Sequence, residues 1–241
     1  MGSSNSKKVF RLSSVILVSV FFVLTGFGQQ SQDDFNSWSA LEFKYKPNKK
    51  WDFGIETQFR LKEEASTVDA YFGQIDVSRD LWFGLKLGMG LRYIRENDNQ
   101  GRVQGYENHV RYQIDLSHKY KIARMVFKSR LRYQNKNELG ISNQEGDIPV
   151  QRMRLKVGSI YNFRKWKLDP EISGEIFNKF KKATNNNEFD KYRINIGTSY
   201  DFKGNGRLSV FYRFENEFNT ANQLRYHILF FKYRYMLKSK G

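Results

Sequence analysis

The chain has 241 residues, a formal net charge of +16 and no cysteine, and 16% of its residues are aromatic. The length allows one domain or one barrel of moderate size, and the lack of cysteine excludes disulfides and thiolate metal sites. The positive charge favours acidic partners such as anionic lipid headgroups.

The first 28 residues have the pattern of a secretory signal peptide. Basic residues between Lys7 and Arg11 precede an apolar run from Leu12 to Leu24, and small residues follow at the expected cleavage point. The run is too short to span a bilayer as a helix, which takes roughly 20 residues. The predicted domains are a signal peptide at 1–28 and one outer-membrane β-barrel domain at 29–241.

Apolar and polar residues then alternate with a period of two along almost all of the remaining chain. In LWFGLKLGMGLRYIRE, the odd positions from Leu81 to Tyr93 are all apolar, whereas the even positions include Lys86 and Arg92. The predicted strands, in chain order, span 37–45, 51–62, 71–78, 81–96, 106–116, 123–134, 151–163, 168–177, 192–202, 207–215 and 224–237. No helical period competes with this pattern.

A soluble β-sandwich also has strands with one apolar face, so strand length has to distinguish a soluble sandwich from a membrane barrel. Soluble strands cluster near five or six residues, whereas these segments run to about 11 to 14, which suits a tilted strand crossing a bilayer. Aromatic residues near the strand ends are predicted to form the two interfacial girdles. They are Trp38, Trp51, Trp82, Tyr93, Tyr133, Phe163, Trp166, Tyr200 and Phe202.

The connections alternate between short and long, as in an up-and-down outer-membrane barrel. The predicted tight turns are Pro47–Lys50, Arg79–Asp80, Lys119–Lys121, Arg164–Trp166 and Lys203–Gly206, and the predicted long loops are Asn97–Val103, Lys136–Pro149 and Asn178–Glu188. The pattern yields about eleven strands, which would close with the first and last strands parallel. Since bacterial barrels normally have an even count, we expect an all-β, single antiparallel transmembrane barrel of 10–12 strands, with ten or twelve favoured over eleven.

The charged face of each strand is predicted to point into the lumen, because a basic residue facing lipid at the midplane costs about 2–4 kcal/mol. The predicted lumen-facing basic residues are Arg60, Lys86, Arg92, Arg111, Arg124, Lys128, Arg130, Arg132, Arg152, Arg154, Lys156 and Arg193. The predicted lumen-facing acidic residues are Glu56, Asp76, Glu107, Asp115, Glu171 and Glu175. The basic residues outnumber the acidic ones, so we expect a lumen of net positive charge.

Several segments resemble an uncharacterised outer-membrane β-barrel family known as domain of unknown function 2490 (DUF2490). They are NKKWDFGIETQFRLK, GLRYIREND followed by YENHVRYQIDLSHKYKI, FKSRLRYQNKNE and EFDKYRINIGTSYDF. The resemblance covers nearly the whole chain after residue 28. It implies a location and a fold, and it transfers no activity and no catalytic residue.

Three functional classes stay open at this stage. The favoured one is a non-enzymatic structural or partner-binding barrel, whose long side chains fill a narrow lumen. The second is a small pore that prefers anions, and the third is a lipid-modifying enzyme in which His109 and Glu107 act as base and orienting group. We predict outer-membrane lipid and a membrane or periplasmic protein as partners, in a Gram-negative type of bacterium, with no catalytic residue, no cofactor, no metal and no nucleic acid.

Overall fold

Eleven long strands form where the sequence alternates, and together they make one barrel. The computed structural model describes residues 32–98, 105–141, 149–164, 167–181, 186–202, 204–218 and 223–239. The strands are β1 Gln32–Lys46, β2 Trp51–Lys62, β3 Thr67–Asp80, β4 Leu85–Asp98, β5 Gly105–Ile122, β6 Met125–Glu138, β7 Val150–Tyr161, β8 Leu168–Lys181, β9 Asn186–Asp201, β10 Gly206–Glu217 and β11 Leu224–Lys238.

The barrel closes through a parallel pair between its first and last strands. Each strand from β1 to β11 pairs antiparallel with the next, and β1 pairs parallel with β11 from Gln32 opposite Leu224 to Lys46 opposite Lys238. The preference for ten or twelve strands was therefore wrong. The first strand also begins earlier than the predicted residue 37, since residues 32–36 form the beginning of β1, which is 15 residues long.

The strand directions give the barrel two distinct ends. The loop end carries the beginning of β1 and the connections at 63–66, 99–104, 139–149, 182–185 and 218–223, whereas the turn end carries the end of β11 and the connections at 47–50, 81–84, 123–124, 162–167 and 202–205. The longest connection lies at the loop end and the shortest at the turn end. Short and long connections alternate along the chain, as predicted, because successive connections lie at opposite ends of the barrel.

The burial pattern is the reverse of that of a soluble protein. Within the described residues, the buried side chains comprise nine hydrophobic and seventeen polar or charged ones. Large apolar side chains are exposed instead, with Leu41, Ile75 and Ile196 exposing 63, 58 and 54% of their surface. Such an exterior requires an apolar solvent, and a closed barrel leaves no unpaired strand edge within the bilayer. The chain therefore folds as a transmembrane barrel of the outer-membrane type.

Two predicted turns lie inside strands instead. Arg79 and Asp80 end β3, and the turn that follows is formed by residues 81–84, where Phe83 and Gly84 adopt φ values of 54° and 74°. Lys119–Lys121 belongs to β5, because a two-residue turn at 123–124 allows that strand to continue to Ile122. A period of two continues unchanged into a tight hairpin, so it does not mark where the strand ends.

Two of the predicted long loops are also shorter than predicted, because the strands before them continue further. Lys136 lies in β6 and Asn178 in β8, so both strands extend beyond their predicted ends. The signal peptide prediction and Trp166 fall outside the described residues. None of the described residues forms a helix of the length and apolarity needed to cross a membrane.

The lumen contains apolar packing as well as polar residues. Beside the seam between β1 and β11, Trp38, Ala40, Ile228 and Phe230 form a buried cluster inside the barrel. The prediction that Trp38 belongs to an interfacial girdle was wrong, because the register of β1 turns its even-numbered residues inward, and Trp38 is only 6% exposed. At this level, hydrophobic side chains occupy the lumen beside the seam, whereas Glu42, Lys232 and Arg234 point inward nearer the turn end.

Candidate functional site: the basic lumen

A cavity of about 1610 Å³ occupies the lumen and is lined by residues of all eleven strands. Its lining includes Asp34 and Glu217 at the loop end and Lys46 and Arg207 at the turn end. The described lining contains twenty lysine and arginine side chains and thirteen aspartate and glutamate side chains. The cavity thus has a positive balance of charge.

The charge is distributed unevenly along the axis. The carboxylates that line the cavity at the loop end are Asp33, Asp34, Glu63, Asp69, Glu96, Asp98, Glu107 and Glu217. The basic residues beside them are Lys62, Lys136, Arg152 and Lys191. The mouth at the loop end is therefore acidic, and the positive excess lies in the middle of the barrel and towards the turn end.

Seven arginines from seven strands form what we name the central arginine cluster. They are Arg60, Arg92, Arg111, Arg132, Arg154, Arg193 and Arg213. Three of them meet at one indole ring, since the Cζ atoms of Arg60, Arg193 and Arg213 lie 4.0, 5.4 and 5.4 Å from the ring centroid of Trp38. Guanidinium groups stack favourably on aromatic faces, so Trp38 draws cations of β2, β9 and β10 to one level of the lumen.

On the side formed by β6 to β10, three of the four arginines of the cluster pair with carboxylates, whereas Arg213 has no ion pair among the described residues. The ion pairs there are Arg132–Asp115, Arg154–Glu175 and Arg193–Glu215. Glu175 accepts from Nε of Arg154 at 3.0 Å and from Nη2 of Arg130 at 2.8 Å. Alternation explains the local arrangement, because Arg130 and Arg132 point inward on β6 while Leu131 between them is 42% exposed on the outside. We name this side the paired wall.

On the side formed by β2 to β5, only one arginine of the cluster, Arg92, has a carboxylate of the described residues within ion-pair distance. Arg92 donates from Nε to Gln74 at 2.8 Å and lies 3.5 Å from Glu56, and Arg111 donates to Gln113 at 3.1 Å. No carboxylate of the described residues lies within ion-pair distance of Arg60 or Arg111. We name this side the unpaired wall.

The structure brings most of the predicted basic residues to one surface. Those that line the cavity are Arg60, Lys86, Arg92, Arg111, Lys128, Arg130, Arg132, Arg152, Arg154, Lys156 and Arg193. The prediction for Arg124 was wrong. Arg124 lies exposed in the turn between β5 and β6, because Ala123 adopts a positive φ of 49° and β6 begins only at Met125.

The predicted acidic residues lie on the inner strand faces. Glu56, Glu107, Glu171 and Glu175 line the cavity. Asp115 accepts two bonds of 2.6 Å from Arg132. Asp76 accepts a bond of 3.2 Å from the side-chain amide of Gln74, its inward-facing neighbour on β3.

His109 lies near two carboxylates but away from the cavity surface. Its Nε2 is 3.2 Å from Glu107 and 3.5 Å from Glu96, and neither ring nitrogen has a hydrogen-bond partner. His109 is 6% exposed and does not line the cavity. Among the described residues there is no group of His, Asp and Glu side chains arranged to hold a metal ion.

The sequence pattern did not predict that aromatic rings lie inside the lumen or that Arg213 lines it. Arg92 stacks on Phe72 at 3.3 Å, Arg154 on Phe177 at 4.4 Å and Arg213 on Phe230 at 3.7 Å, measured from Cζ to the ring centroid. Alternation assigned apolar residues to the lipid face, so aromatic residues at inward positions escaped it. Arg213 could have been found by extending the period of two along β10.

The sequence matches the family described as "Protein of unknown function (DUF2490)" over residues 35–226. The chain belongs to the DUF2490 family. This match confirms the family resemblance of the sequence segments, and it covers β2 to β10 in full, most of β1 and the beginning of β11. Comparison with curated proteins gave no match.

Two solved barrel structures resemble this DUF2490 protein at low identity. One is the β domain of the Bordetella autotransporter BrkA, with 9% identity, coverage of 68% of this chain and 76% of that chain, and a TM-score of 0.43. The other is OmpT, an outer membrane protein of Vibrio cholerae, with 11% identity, coverage of 73% of this chain and 53% of that chain, and a TM-score of 0.41. Both similarities are too low to indicate an activity.

Proposed function

We propose that this DUF2490 protein is a narrow, non-enzymatic channel that passes small anions across the outer membrane of a Gram-negative type of bacterium. The observation that carries the proposal is the lumen cavity of about 1610 Å³, which is lined by residues from both ends of the barrel and has more basic than acidic side chains in its lining as a whole. Lipid is the partner of its exterior, because large apolar side chains such as Leu41 and Ile75 are exposed there.

Selectivity is expected to arise in the middle of the barrel. A ring of charged side chains at a constriction selects ions of the opposite charge, and the central arginine cluster contributes cations from seven strands. The acidic mouth disfavours anions that enter from the loop end, whereas the turn end carries basic residues such as Lys86 and Lys128. An anion current should therefore be larger for entry from the turn end.

A structural or partner-binding barrel with a filled lumen is the second candidate. The observation that favours it is the tight packing of the cluster, because the Nε atoms of Arg60, Arg111 and Arg213 are buried without a partner. In that case the arginines stacked on Trp38 and its aromatic neighbours obstruct the lumen, and the exposed surfaces at the two ends would bind a membrane or periplasmic protein.

Enzymatic function is the least supported candidate. A catalytic base needs a substrate proton within hydrogen-bond reach, but His109 is buried behind the cavity surface and its ring nitrogens bond to no hydroxyl of the described residues. The absence of catalysis is part of our proposal.

Single-channel recording in planar bilayers under a salt gradient tests the proposal. The protein should be refolded, and its folding verified by the mobility shift of an unheated sample in a gel. We expect small, discrete conductance steps with a reversal potential that favours anions, and a weaker preference in Arg111→Gln. The control Arg95→Gln removes an arginine that lies outside the lumen, 5.1 Å from the ring of Tyr106, and should retain the preference. Electrical silence of the folded protein, or selectivity for cations, would refute the channel and leave the filled barrel.

A further inference from the structure

The unpaired wall places like charges directly opposite one another on neighbouring strands. Arg92 on β4 is paired in register with Arg111 on β5, and Arg111 is paired in turn with Lys136 on β6. Like charges in directly opposed positions of a sheet destabilise it. Arg132 and Arg154 are also opposed on the paired wall, but each of them has its own carboxylate partner.

Buried hydrogen-bond donors without acceptors lie on the same wall. Arg111 is 8% exposed and its Nε has no partner, and the same holds for Nε of Arg60 and for Nε2 of Gln58, which is 7% exposed. A buried donor without an acceptor is costly, so native proteins almost always provide one. The missing acceptor is expected to be an anion, because guanidinium groups surround it.

The charge balance of the wall indicates a doubly charged ligand. Arg60, Arg92 and Arg111 carry three positive charges, and among the described residues the one carboxylate within ion-pair distance of any of them is Glu56, which is 3.5 Å from Arg92 and also binds Lys232 at 2.5 Å. About two positive charges thus stay without a counter-charge. The rigid fork of a guanidinium matches two oxygens of one oxyanion, which a halide lacks.

We propose that Arg60, Arg92 and Arg111 bind a small, doubly charged oxyanion of the phosphate class, with the amide of Gln58 as a further donor. All four side chains line the lumen cavity, so a small ion reaches them from inside the barrel. This proposal rests on the proposed channel function and specifies the ligand of the channel. Equilibrium binding and conduction are measured separately, so either can fail alone.

Calorimetric titration of inorganic phosphate into the folded full-length protein in detergent tests the site. The buffer should hold chloride and ionic strength constant at a mildly alkaline pH, where phosphate is mostly the dianion. We expect saturable binding of one phosphate per barrel, and Arg111→Gln should weaken it about tenfold or more, since it removes charge-assisted hydrogen bonds. Arg207→Gln is the matched control, because it makes the same change of charge in the cavity lining but at the ion pair with Asp201 at the turn end. This control should bind within about twofold of the unmodified protein, in keeping with the small contribution of exposed ion pairs.

Several outcomes would overturn the site. The site is refuted if phosphate gives no saturable heat or if Arg111→Gln binds phosphate as well as the unmodified protein does. It is also refuted if Arg207→Gln loses as much affinity as Arg111→Gln, because the effect would then come from the overall charge of the lumen. Arg111→Gln is expected to fold, because it removes an unpaired buried cation. A conducting barrel that binds no phosphate refutes the site alone, whereas a silent barrel that binds phosphate supports the site and refutes the channel.

Discussion

Glu175 holds the paired wall together, so Glu175→Gln should destabilise the barrel strongly. Its side chain is 2% exposed, and its carboxylate is 2.8 Å from Nη2 of Arg130, 2.9 Å from Nη2 of Arg154 and 3.8 Å from Nη1 of Arg193. Glutamine preserves the shape but leaves three guanidinium groups, of which that of Arg154 is buried, without that charge. Removing one partner of a buried ion pair costs about 3–5 kcal/mol, and because the lumen cavity relieves part of this cost, we expect a loss of about 3 kcal/mol.

Urea titration of the barrel folded in phospholipid vesicles measures this loss as a change in the free energy of unfolding. The control is Asp201→Asn, which breaks the pair with Arg207, whose two side chains are 61 and 41% exposed. An exposed pair contributes about 0–1 kcal/mol, so the control should stay within that range. The double variant Glu175→Gln with Arg154→Gln should recover part of the loss, since it removes one uncompensated charge. A loss below about 1 kcal/mol in Glu175→Gln would refute the view that buried carboxylates stabilise this lumen.

Further predictions concern the lipid face, strand packing and the acidic mouth. Leu155→Arg, at an outward position 48% exposed within β7, should cost about 2–4 kcal/mol in the same urea titration, whereas Leu139→Arg beyond the end of β6 should cost about 0–1. Gly197→Ala should cost about 1–3 kcal/mol, because the added Cβ would lie 2.3 Å from the carbonyl oxygen of Val210. Gly174→Ala meets nothing within 4 Å and should leave stability unchanged or slightly raised. Glu217→Gln at the loop end should raise the anion current that enters from that side, and an unchanged current would contradict a role for the mouth.

The lipid-facing side of each strand was predictable, because a charged side chain in contact with hydrocarbon is costly. In β6, for example, Leu131 points outward between Arg130 and Arg132, since a cation at that position would face hydrocarbon. The lumen imposes no such rule, because it accepts both polar and apolar side chains. Trp38 therefore looked like an interfacial residue in the sequence, although it is buried inside the barrel.

Ion pairing inside the lumen was beyond prediction because it depends on strand register. Glu175 is 45 residues from Arg130 and 21 residues from Arg154, and only the alignment of β6, β7 and β8 joins the three side chains. The number of strands was misjudged for a different reason. The alternation itself yielded about eleven strands and a parallel closure of the first on the last, but the even strand count that is normal for bacterial barrels was preferred to it.

The position of the free positive charge follows from the ion pairs. On β6 to β10, carboxylates pair with Arg132, Arg154 and Arg193 and leave only Arg213 of the cluster without one among the described residues. On β2 to β5, only Arg92 has a carboxylate of the described residues within ion-pair distance, so two of the three arginines there lack a counter-charge. Buried Nε atoms without a partner occur on both sides, at Arg60 and Arg111 and also at Arg130 and Arg213. A lumen built only to be filled would gain stability from a carboxylate or an apolar residue in place of Arg111. The arrangement of charge therefore favours a barrel that accommodates an anion on that wall.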